Sequence, residues 1–416
     1  MVHFRSGPGE IDAFLQANHP GILQARLIAQ RLDRVVQEMG RGISDSLYRR
    51  TRDAVLRGND QFITAERDND RLLRALLEQG PLLQPSRSAV PNIGLPRDPR
   101  QLREAWSGLS ASDREELFRR DPFLGNRDGI PHADRDFYNR RNLIDLKARS
   151  GNLAEDENYA EIMKLLRGSD QEEPRFYLSY LDDNGRIAIS LDNPDLADNT
   201  VVLLQPAGRG LNQLPYAVPT ARQFRDLAVL AAPRQRTAVT YWGDYDQPQS
   251  MTQAMFPAFA QDGAVRAREY HEGLRATHEG GGAHTTTVGH SYASVLAGHT
   301  AGHGATLNTD SVLFLGSWGT GVNHVGDLRL TGVAPERTAE RVFATITDSD
   351  YVQLMPGTHG PQPTSADFGA TVLESTSILP GSFNPWDHMA EAYMRSENPA
   401  SGNIGRIITG RGDIVS

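Results

Sequence analysis

One stretch of the chain combines a nucleophile with the local pattern that could activate it. Residues 284–302 read HTTTVGHSYASVLAGHTAG, an apolar and β-branched run followed by a Gly-His-Ser-Tyr-Ala turn and a helical pattern. A serine on a sharp turn between a strand and a helix, flanked by small residues, is typical of a nucleophile elbow. The pattern Gly-x-Ser-x-Gly is met except at its last position, where Ala293 adds one methyl group. We therefore predict that Ser291 is a nucleophile.

A serine hydroxyl is a weak nucleophile at neutral pH, so it needs a histidine base that is oriented by a carboxylate. On a strand-to-helix elbow the order along the chain is serine, acid, histidine, with each group on a loop at the carboxyl end of a strand. Asp350 follows the predicted strand RVFATIT and is the favoured acid, with Asp348 as the alternative. His388 follows a predicted last strand near 371–376 and is the predicted base.

The tetrahedral intermediate of such a reaction needs backbone donors for its oxyanion. One donor would be the N–H of Tyr292, the residue after the nucleophile, and the other an N–H from a loop after an earlier strand. The run QPAGRGL beginning at residue 205 supplies that loop, with Ala207 or Gly208 as the donor. The chain shows neither a G-x-x-x-x-G-K-[ST] pattern there nor a G-x-G-x-x-G after a strand, which disfavours nucleotide binding, and we expect no cofactor.

Other histidines and motifs are weaker signals. His299 and His303 have the i, i+4 spacing of two ligands on one helix face, but the Glu of H-E-x-x-H is absent, so no metal site is predicted. We interpret His290 as a packing and hydrogen-bonding neighbour of the nucleophile, and His359 as a loop residue. The tripeptide at residues 411–413, Arg-Gly-Asp, is interpreted as coincidence in a chain rich in Arg and Gly.

The elements around these residues predict a mostly parallel sheet covered by helices on both faces. A hairpin is expected first, where RFYLSYL and RIAISLD alternate about Asn184-Gly185. Short apolar, β-branched runs then alternate with helical patterns, as an α/β protein requires. Strands are predicted at 200–206, 237–243, 284–290, 311–316 and 341–347, and helices near 219–232, near 251–275 and from 292.

At 416 residues the chain is longer than one ordinary core, and its composition indicates a boundary. Residues 1–98 are predicted to be an all-helical region that ends in a proline-rich linker. Residues 99–416 are predicted to form the catalytic domain, with a helical leading or cap segment at 99–174 and the sheet and catalytic core at 175–416. Within the cap segment, Ser110 or Ser112 is a candidate N-cap for a helix that ends before Pro122.

Composition excludes several classes of function. The net charge of -9 argues against a nucleic-acid groove, which needs a surplus of Lys and Arg on one face. The absence of Cys excludes thiol catalysis, thiolate metal sites and disulfides. No stretch reaches the roughly 18 apolar residues of a membrane span, and the start lacks a Sec-type signal pattern. We expect a cytoplasmic protein, or one exported without a Sec-type signal peptide.

Four segments together resemble an actinobacterial family of largely uncharacterised α/β-hydrolases with a GHSYGS-type elbow. They are TVGHSYAS, TYWGDYDQP (similar to W-x-GYD-x-P), the segment LSASDREELFRRDPFLGNRDGIPHADRDFYNRRNL, and HGPQPTSADFGA (similar to HG-x-DP…FGA). The resemblance covers roughly residues 100–410 and implies an α/β-hydrolase fold. It also implies the same nucleophile, acid and base at 291, 350 and 388. The chain departs from that pattern at Tyr351, Ala293 and Met389, where the family has Pro, Gly and Ser.

These observations predict a serine hydrolase that acts on a carboxylic ester, with a small-molecule or lipid-like substrate. Two alternatives remain open. In one, the chain is an interaction or secretion-associated protein whose N-terminal helices bind a partner or self-associate, and the hydrolase domain is a weakly active scaffold. In the other, the same three residues transfer an acyl group to a hydroxyl acceptor, which differs only in how well the site excludes water.

Overall fold

The computed structural model describes most of the chain after residue 93. The described ranges are 94–151, 153–170, 173–208, 214–355, 357–381 and 383–415. The predicted N-terminal helical region lies almost entirely outside these ranges, so its helices and the boundary near residue 98 stay predictions.

Within the described ranges, four helices precede the sheet. They are α1 (Pro99–Ser107), α2 (Ala111–Arg120), α3 (His132–Arg149) and α4 (Leu153–Ser169). Ser110 caps α2: its hydroxyl accepts the Asp113 N–H, and the Asp113 carboxylate accepts the Ser110 N–H. This capping box satisfies two amides that the first turn leaves without helical partners. The N-cap is therefore Ser110 rather than Ser112, and α2 ends before Pro122 as predicted.

Eight strands form a single mixed sheet in the described part of the chain. They are β1 (Phe176–Leu181), β2 (Ile187–Leu191), β3 (Asn199–Leu204), β4 (Thr237–Trp242), β5 (His284–His290), β6 (Ser311–Leu315), β7 (Val342–Thr345) and β8 (Thr371–Val372). The spatial order is β1-β2-β4-β3-β5-β6-β7-β8. Among these described strands, β2 runs against its two neighbours and the other pairs are parallel. The mostly parallel sheet that the sequence predicts is confirmed.

Helices after the hairpin pack in two separate groups. They are α5 (Leu214–Ala231), α6 (Met251–Ala254), α7 (Ala258–Thr277), α8 (Ala293–Ala301), α9 (Ala390–Met394) and α10 (Pro399–Ile408). Helices α5, α9 and α10 contact one another, whereas α7 contacts both α8 and α1 in a second group. Every residue of β3, β4 and β6 is buried, as expected for strands covered on both faces.

Element boundaries differ from the predictions at three places. The helix predicted near 251–275 is interrupted at Pro257, because proline has no N–H to continue the helical ladder. Helix α5 begins at Leu214 rather than near Pro219, since Leu214 and Ala217 are buried in the core and packing extends the helix. The last strand is only Thr371–Val372, because its pairing with β7 ends there.

None of the helices in the described ranges is both long and apolar enough to span a membrane.

Candidate active site

The turn between β5 and α8 holds Ser291 in an unusual backbone conformation. Its φ is 55°, in the left-handed region that residues with a side chain seldom occupy. The Ser291 N–H donates to the Leu315 carbonyl of the neighbouring strand (3.0 Å), which ties the turn to the sheet. A Cβ at Gly289 would lie 2.8 Å from the Ala293 carbonyl oxygen, so strand and helix cross too closely for a larger residue there. This strained turn lifts the Ser291 side chain to the carboxyl edge of the sheet.

Three predicted side chains meet at this edge. His388 Nε2 lies 2.9 Å from Ser291 Oγ, and His388 Nδ1 lies 3.0 Å from Asp350 Oδ2. A carboxylate accepts hydrogen bonds only, so the Nδ1–H of His388 donates to Asp350. A neutral imidazole then directs the lone pair of Nε2 at the serine hydroxyl, which is the arrangement of a general base.

The two partners of Ser291 reach it from loops after β7 and β8. Asp350 follows β7 and directly precedes a 3-10 turn, Tyr351–Leu354. The Asn384 N–H donates to the Ser349 carbonyl (3.0 Å), which joins this loop to the one that carries His388. The buried Asp387 carboxylate accepts the Ile378 N–H (2.5 Å) and the Asn384 amide (2.7 Å). These bonds fix the loop that carries His388.

Asp350 is fully buried and its oxygens are held by three donors. Oδ1 accepts the Val352 N–H (2.9 Å), and Oδ2 accepts the Tyr393 hydroxyl (2.8 Å) as well as the imidazole. Burial, with the negative charge of Asp350 next in importance, raises the pKa of Tyr393 well above its usual value, so the phenol remains a donor. Asp348, the alternative acid, is exposed. The structure therefore brings Asp350, and not Asp348, to the imidazole.

Two aromatic rings flank the His388 imidazole. The His290 ring centroid lies 5.0 Å away, and the Tyr351 ring lies 4.9 Å away in an edge-on arrangement. His290 Nε2 is 2.6 Å from the His388 carbonyl oxygen, to which it donates. Burial, and secondly the nearby His388, lower the pKa of His290 to about 4, so His290 is neutral at neutral pH. It therefore anchors the backbone of His388 without adding a charge.

The loop after β3 begins beside the elbow, because Leu204 pairs with Gly289 in the parallel ladder. The Gln205 N–H donates to Trp242 O (2.8 Å), and the Gly208 N–H donates to Pro248 O (3.0 Å). Residue 206 is proline and has no N–H. Ala207 makes no backbone hydrogen bond through its N–H within the described ranges. Of the two candidate donors predicted in this loop, the amide of Gly208 is occupied, whereas that of Ala207 has no backbone acceptor among the residues that the structure describes.

Tyr292 stands at the N-terminal end of α8, where the first amides of a helix have no helical acceptor. Its N–H makes no backbone hydrogen bond in the part of the chain that the structure describes. The Tyr292 side chain is buried, and its hydroxyl donates to Phe256 O (2.8 Å). The backbone amide is therefore fixed in direction by a side chain that is anchored elsewhere.

The loop after β4 holds the loop after β3 by side-chain hydrogen bonds. The buried Tyr245 hydroxyl donates to Gln205 O (2.5 Å), and Gln249 Nε2 donates to Gly208 O (2.7 Å). The sequence predictions include neither residue, nor Tyr393. The motif TYWGDYDQP contains Tyr245 but does not indicate its hydrogen-bond partner, and no spacing rule links Tyr393 to an acid that lies 43 residues earlier.

The remaining candidates lie outside this constellation. The rings of His299 and His303 stack with centroids 4.5 Å apart, and the described residues hold no group of three or more metal-ligating side chains that could bind a metal ion. His359 is buried, with Nε2 2.7 Å from Ala254 O. The guanidinium of Arg411, from the Arg-Gly-Asp tripeptide, bonds to Ala231 O.

Comparisons with known proteins agree with the topology. Residues 182–359 match the model of a protein family described as alpha/beta hydrolase. With one antiparallel strand in the described sheet, helices on both faces and the turn at Ser291 after β5, the chain has the α/β-hydrolase fold.

Two sequence relatives are proteins of a mycobacterium. The uncharacterized protein Rv2079 of Mycobacterium tuberculosis (strain ATCC 25618 / H37Rv) is 25% identical over 388 residues, which cover 80% of this chain and 58% of the relative. The uncharacterized protein Rv0963c of the same strain is 31% identical over 143 residues, which cover 34% of this chain and 50% of the relative. This chain thus spans little more than half the length of the relatives it matches.

Among solved structures, an esterase/lipase from an uncultured bacterium is similar, with a TM-score of 0.34 and 12% identity, covering 66% of this chain and 97% of that chain. A hormone-sensitive lipase from a metagenome library has a TM-score of 0.34 and 13% identity, covering 66% of this chain and 98% of that chain.

Proposed function

We propose that the protein is a serine hydrolase that cleaves carboxylic esters, with Ser291 as nucleophile, His388 as general base and Asp350 as the orienting acid. One observation supports this most directly. Two consecutive hydrogen bonds, of 2.9 and 3.0 Å, link a serine on a strained left-handed turn to an imidazole and then to a buried carboxylate. Structural serines seldom need a strained backbone, whereas a nucleophile gains exposure from it.

In the proposed reaction, Ser291 Oγ forms a bond to the acyl carbon while its proton moves to His388 Nε2. The tetrahedral intermediate collapses as the bond to the alcohol oxygen breaks, and the imidazolium gives its proton to the departing alkoxide. Water then attacks the acyl-enzyme, with His388 again taking a proton. The carboxylic acid leaves and the Ser291 hydroxyl is restored. The Asp350 carboxylate stabilises the imidazolium in both halves of the cycle.

The oxyanion would be bound by the backbone N–H groups of Tyr292 and Ala207. Both amides lack a backbone acceptor within the described ranges, and they follow β3 and β5, which are neighbours in the sheet. Fixed backbone donors stabilise the developing negative charge without any reorganisation, and each such donor contributes about 3–4 kcal/mol in serine hydrolases.

A fluorophosphonate probe tests the proposal without knowledge of the natural substrate, since it reacts with activated serines. We expect labelling of the wild type between about pH 6 and 9 and none in Ser291→Ala. Ser112→Ala is the matched control, because Ser112 is exposed in the first turn of α2 and should label like the wild type. Absence of wild-type labelling throughout this range would favour the scaffold alternative.

Product analysis then separates hydrolysis from acyl transfer. A p-nitrophenyl ester is incubated with the enzyme and a competing primary alcohol. Free carboxylic acid as the main product supports the hydrolase, whereas a new ester that accumulates in proportion to the alcohol supports a transferase. The same experiment with Ser291→Ala measures the uncatalysed background.

A further inference from the structure

One oxygen atom of the proposed acid serves two donors. Asp350 Oδ2 accepts the Nδ1–H of His388 (3.0 Å) and the hydroxyl of Tyr393 (2.8 Å). Tyr393 and Asp350 are both fully buried, so solvent does not compete for this hydrogen bond. The phenol thus contacts the carboxylate on the side that faces the base.

We propose that Tyr393 is a positioning residue that acts on the base through Asp350: its phenol shares the negative charge of Oδ2 with the imidazole, so the strength of the Asp350–His388 hydrogen bond, and with it the pH dependence of the reaction, depends on the Tyr393 hydroxyl. The inference rests on the proposed function, since it assigns a role within the same site. Tyr393 touches neither the substrate nor the serine hydroxyl, and it acts only through the carboxylate.

The direction of the effect follows from electrostatics. A carboxylate next to an imidazole favours the protonated ring, and that preference grows with the negative charge on the oxygen that faces it. A hydrogen bond from a neutral phenol takes up part of that charge, as hydrogen bonds to charged groups are stronger than those between neutral groups. The two donors on Oδ2 therefore weaken each other. Removal of the phenol hydroxyl should strengthen the hold of Asp350 on the imidazolium.

Other titratable groups around the pair do not replace this hydrogen bond. Those on the neighbouring elements are His290 at the end of β5, Asp348 and Tyr351 after β7, Asp387 before α9 and Glu391 within it. His290 is neutral and donates to a carbonyl, and Asp348 is exposed. Burial, and secondly Asp350, raise the pKa of Tyr351 to about 12, so it carries no charge.

The two remaining carboxylates have their own partners. Asp387 accepts backbone amides and the Asn384 side chain, and Glu391 accepts the Thr220 hydroxyl (2.7 Å) on α5. Within the described ranges, His388 and Tyr393 are the side chains that donate to the Asp350 carboxylate. The pH dependence of the base should therefore respond to the Tyr393 hydroxyl more than to any of these neighbours.

The test is the pH dependence of fluorophosphonate labelling in Tyr393→Phe, which removes one oxygen atom and keeps the ring. The pH at which labelling reaches half of its plateau should rise by about 0.5–1 pH unit. Labelling at pH 6 should then fall by roughly three- to tenfold, while the plateau at high pH stays within about twofold of the wild type. Tyr138→Phe is the matched control, because Tyr138 is buried in α3 and outside this site.

A second variant keeps the inference testable if Tyr393→Phe does not fold. Replacement of Tyr393 by 3-fluorotyrosine makes the phenol a stronger donor, and the midpoint should then move down instead of up. An unchanged midpoint in the folded variant, or a loss of labelling that is equal at all pH values, would overturn the inference. Failure of the wild type to label at any pH would overturn the proposed function instead, so the two failures are distinguishable.

Discussion

Replacement of Asp350 by Asn probes the buried carboxylate most directly. The carboxylate accepts three hydrogen bonds, from the backbone of Val352 and from the side chains of His388 and Tyr393. An amide has one accepting oxygen, so its NH₂ group must face at least one of these donors. A buried donor left without an acceptor costs about 1–3 kcal/mol of folding free energy. We therefore expect a stable but weakened protein.

The effect on the reaction should be much larger than the effect on stability. An uncharged amide no longer stabilises the imidazolium, and an NH₂ group that faces Nδ1 would reverse the tautomer of His388, so Nε2 could not accept the serine proton. Loss of the acid in a comparable triad lowers the rate by about 10⁴-fold. We expect labelling by a fluorophosphonate to fall by about 10²- to 10⁴-fold at pH 8, measured alongside urea unfolding of the same variant.

Asp348→Asn is the matched control, because it makes the same chemical change two residues away on an exposed side chain. It should keep wild-type labelling and a free energy of unfolding within about 0.5 kcal/mol of the wild type. The reasoning is refuted if Asp348→Asn loses labelling and Asp350→Asn keeps it. It is also refuted if the loss of labelling in Asp350→Asn merely follows its loss of folded protein.

Three further outcomes are expected. Gly289→Ala should destabilise the protein by about 1–3 kcal/mol in urea unfolding, because its Cβ would contact the backbone of α8, whereas Gly151→Ala, with open space around it, should not. Gln249→Ala removes the side-chain hydrogen bond to the Gly208 carbonyl and so loosens the loop after β3. The rate of fluorophosphonate labelling should fall by about tenfold, and the pH midpoint of labelling should not move. A shifted midpoint would contradict this explanation. Burial lowers the pKa of His271 to about 4, so below about pH 6.5 the unfolded chain binds a proton at this residue that the folded protein does not bind. Because of this difference, the free energy of unfolding should fall by about 2 kcal/mol between pH 7 and pH 5. His271→Gln should reduce that pH dependence, measured by urea unfolding at each pH.

The order of strands and helices is readable from the sequence because buried parallel strands are short apolar runs. Segments such as TAVTYWG and SVLFLG have few polar residues to mislead the pattern, and β4 and β6 lie within one or two residues of their predicted bounds. Hydrogen-bonding proximity of residues 291, 350 and 388 was also expected, since carboxyl ends of parallel strands share one edge of a sheet. Element bounds that depend on packing, such as the start of α5 at Leu214, could not be predicted from the sequence.

Hydrogen bonds that depend on three-dimensional contact could not be predicted. Which amide of the loop after β3 is free depends on Pro248, a residue 40 positions later whose carbonyl occupies the N–H of Gly208. The role of Tyr393 likewise depends on how α9 packs under the β7 loop, and a buried tyrosine in the sequence looks the same whether it fills the core or contacts an acid. Sequence patterns report burial well and report the partner of a buried polar atom poorly.

The bonds between the loops after β3 and β4 have a consequence for engineering and for divergence of this fold. The Gly208 N–H donates to the Pro248 carbonyl, and the Gly208 carbonyl accepts the Gln249 side-chain amide. The Tyr245 hydroxyl donates to the Gln205 carbonyl. The two loops are therefore held together as one structural unit. If residues 205–208 were replaced by those of another protein without residues 245–249, several polar groups would lose their hydrogen-bond partners at once. If both segments were replaced together, the hydrogen bonds between them would be kept.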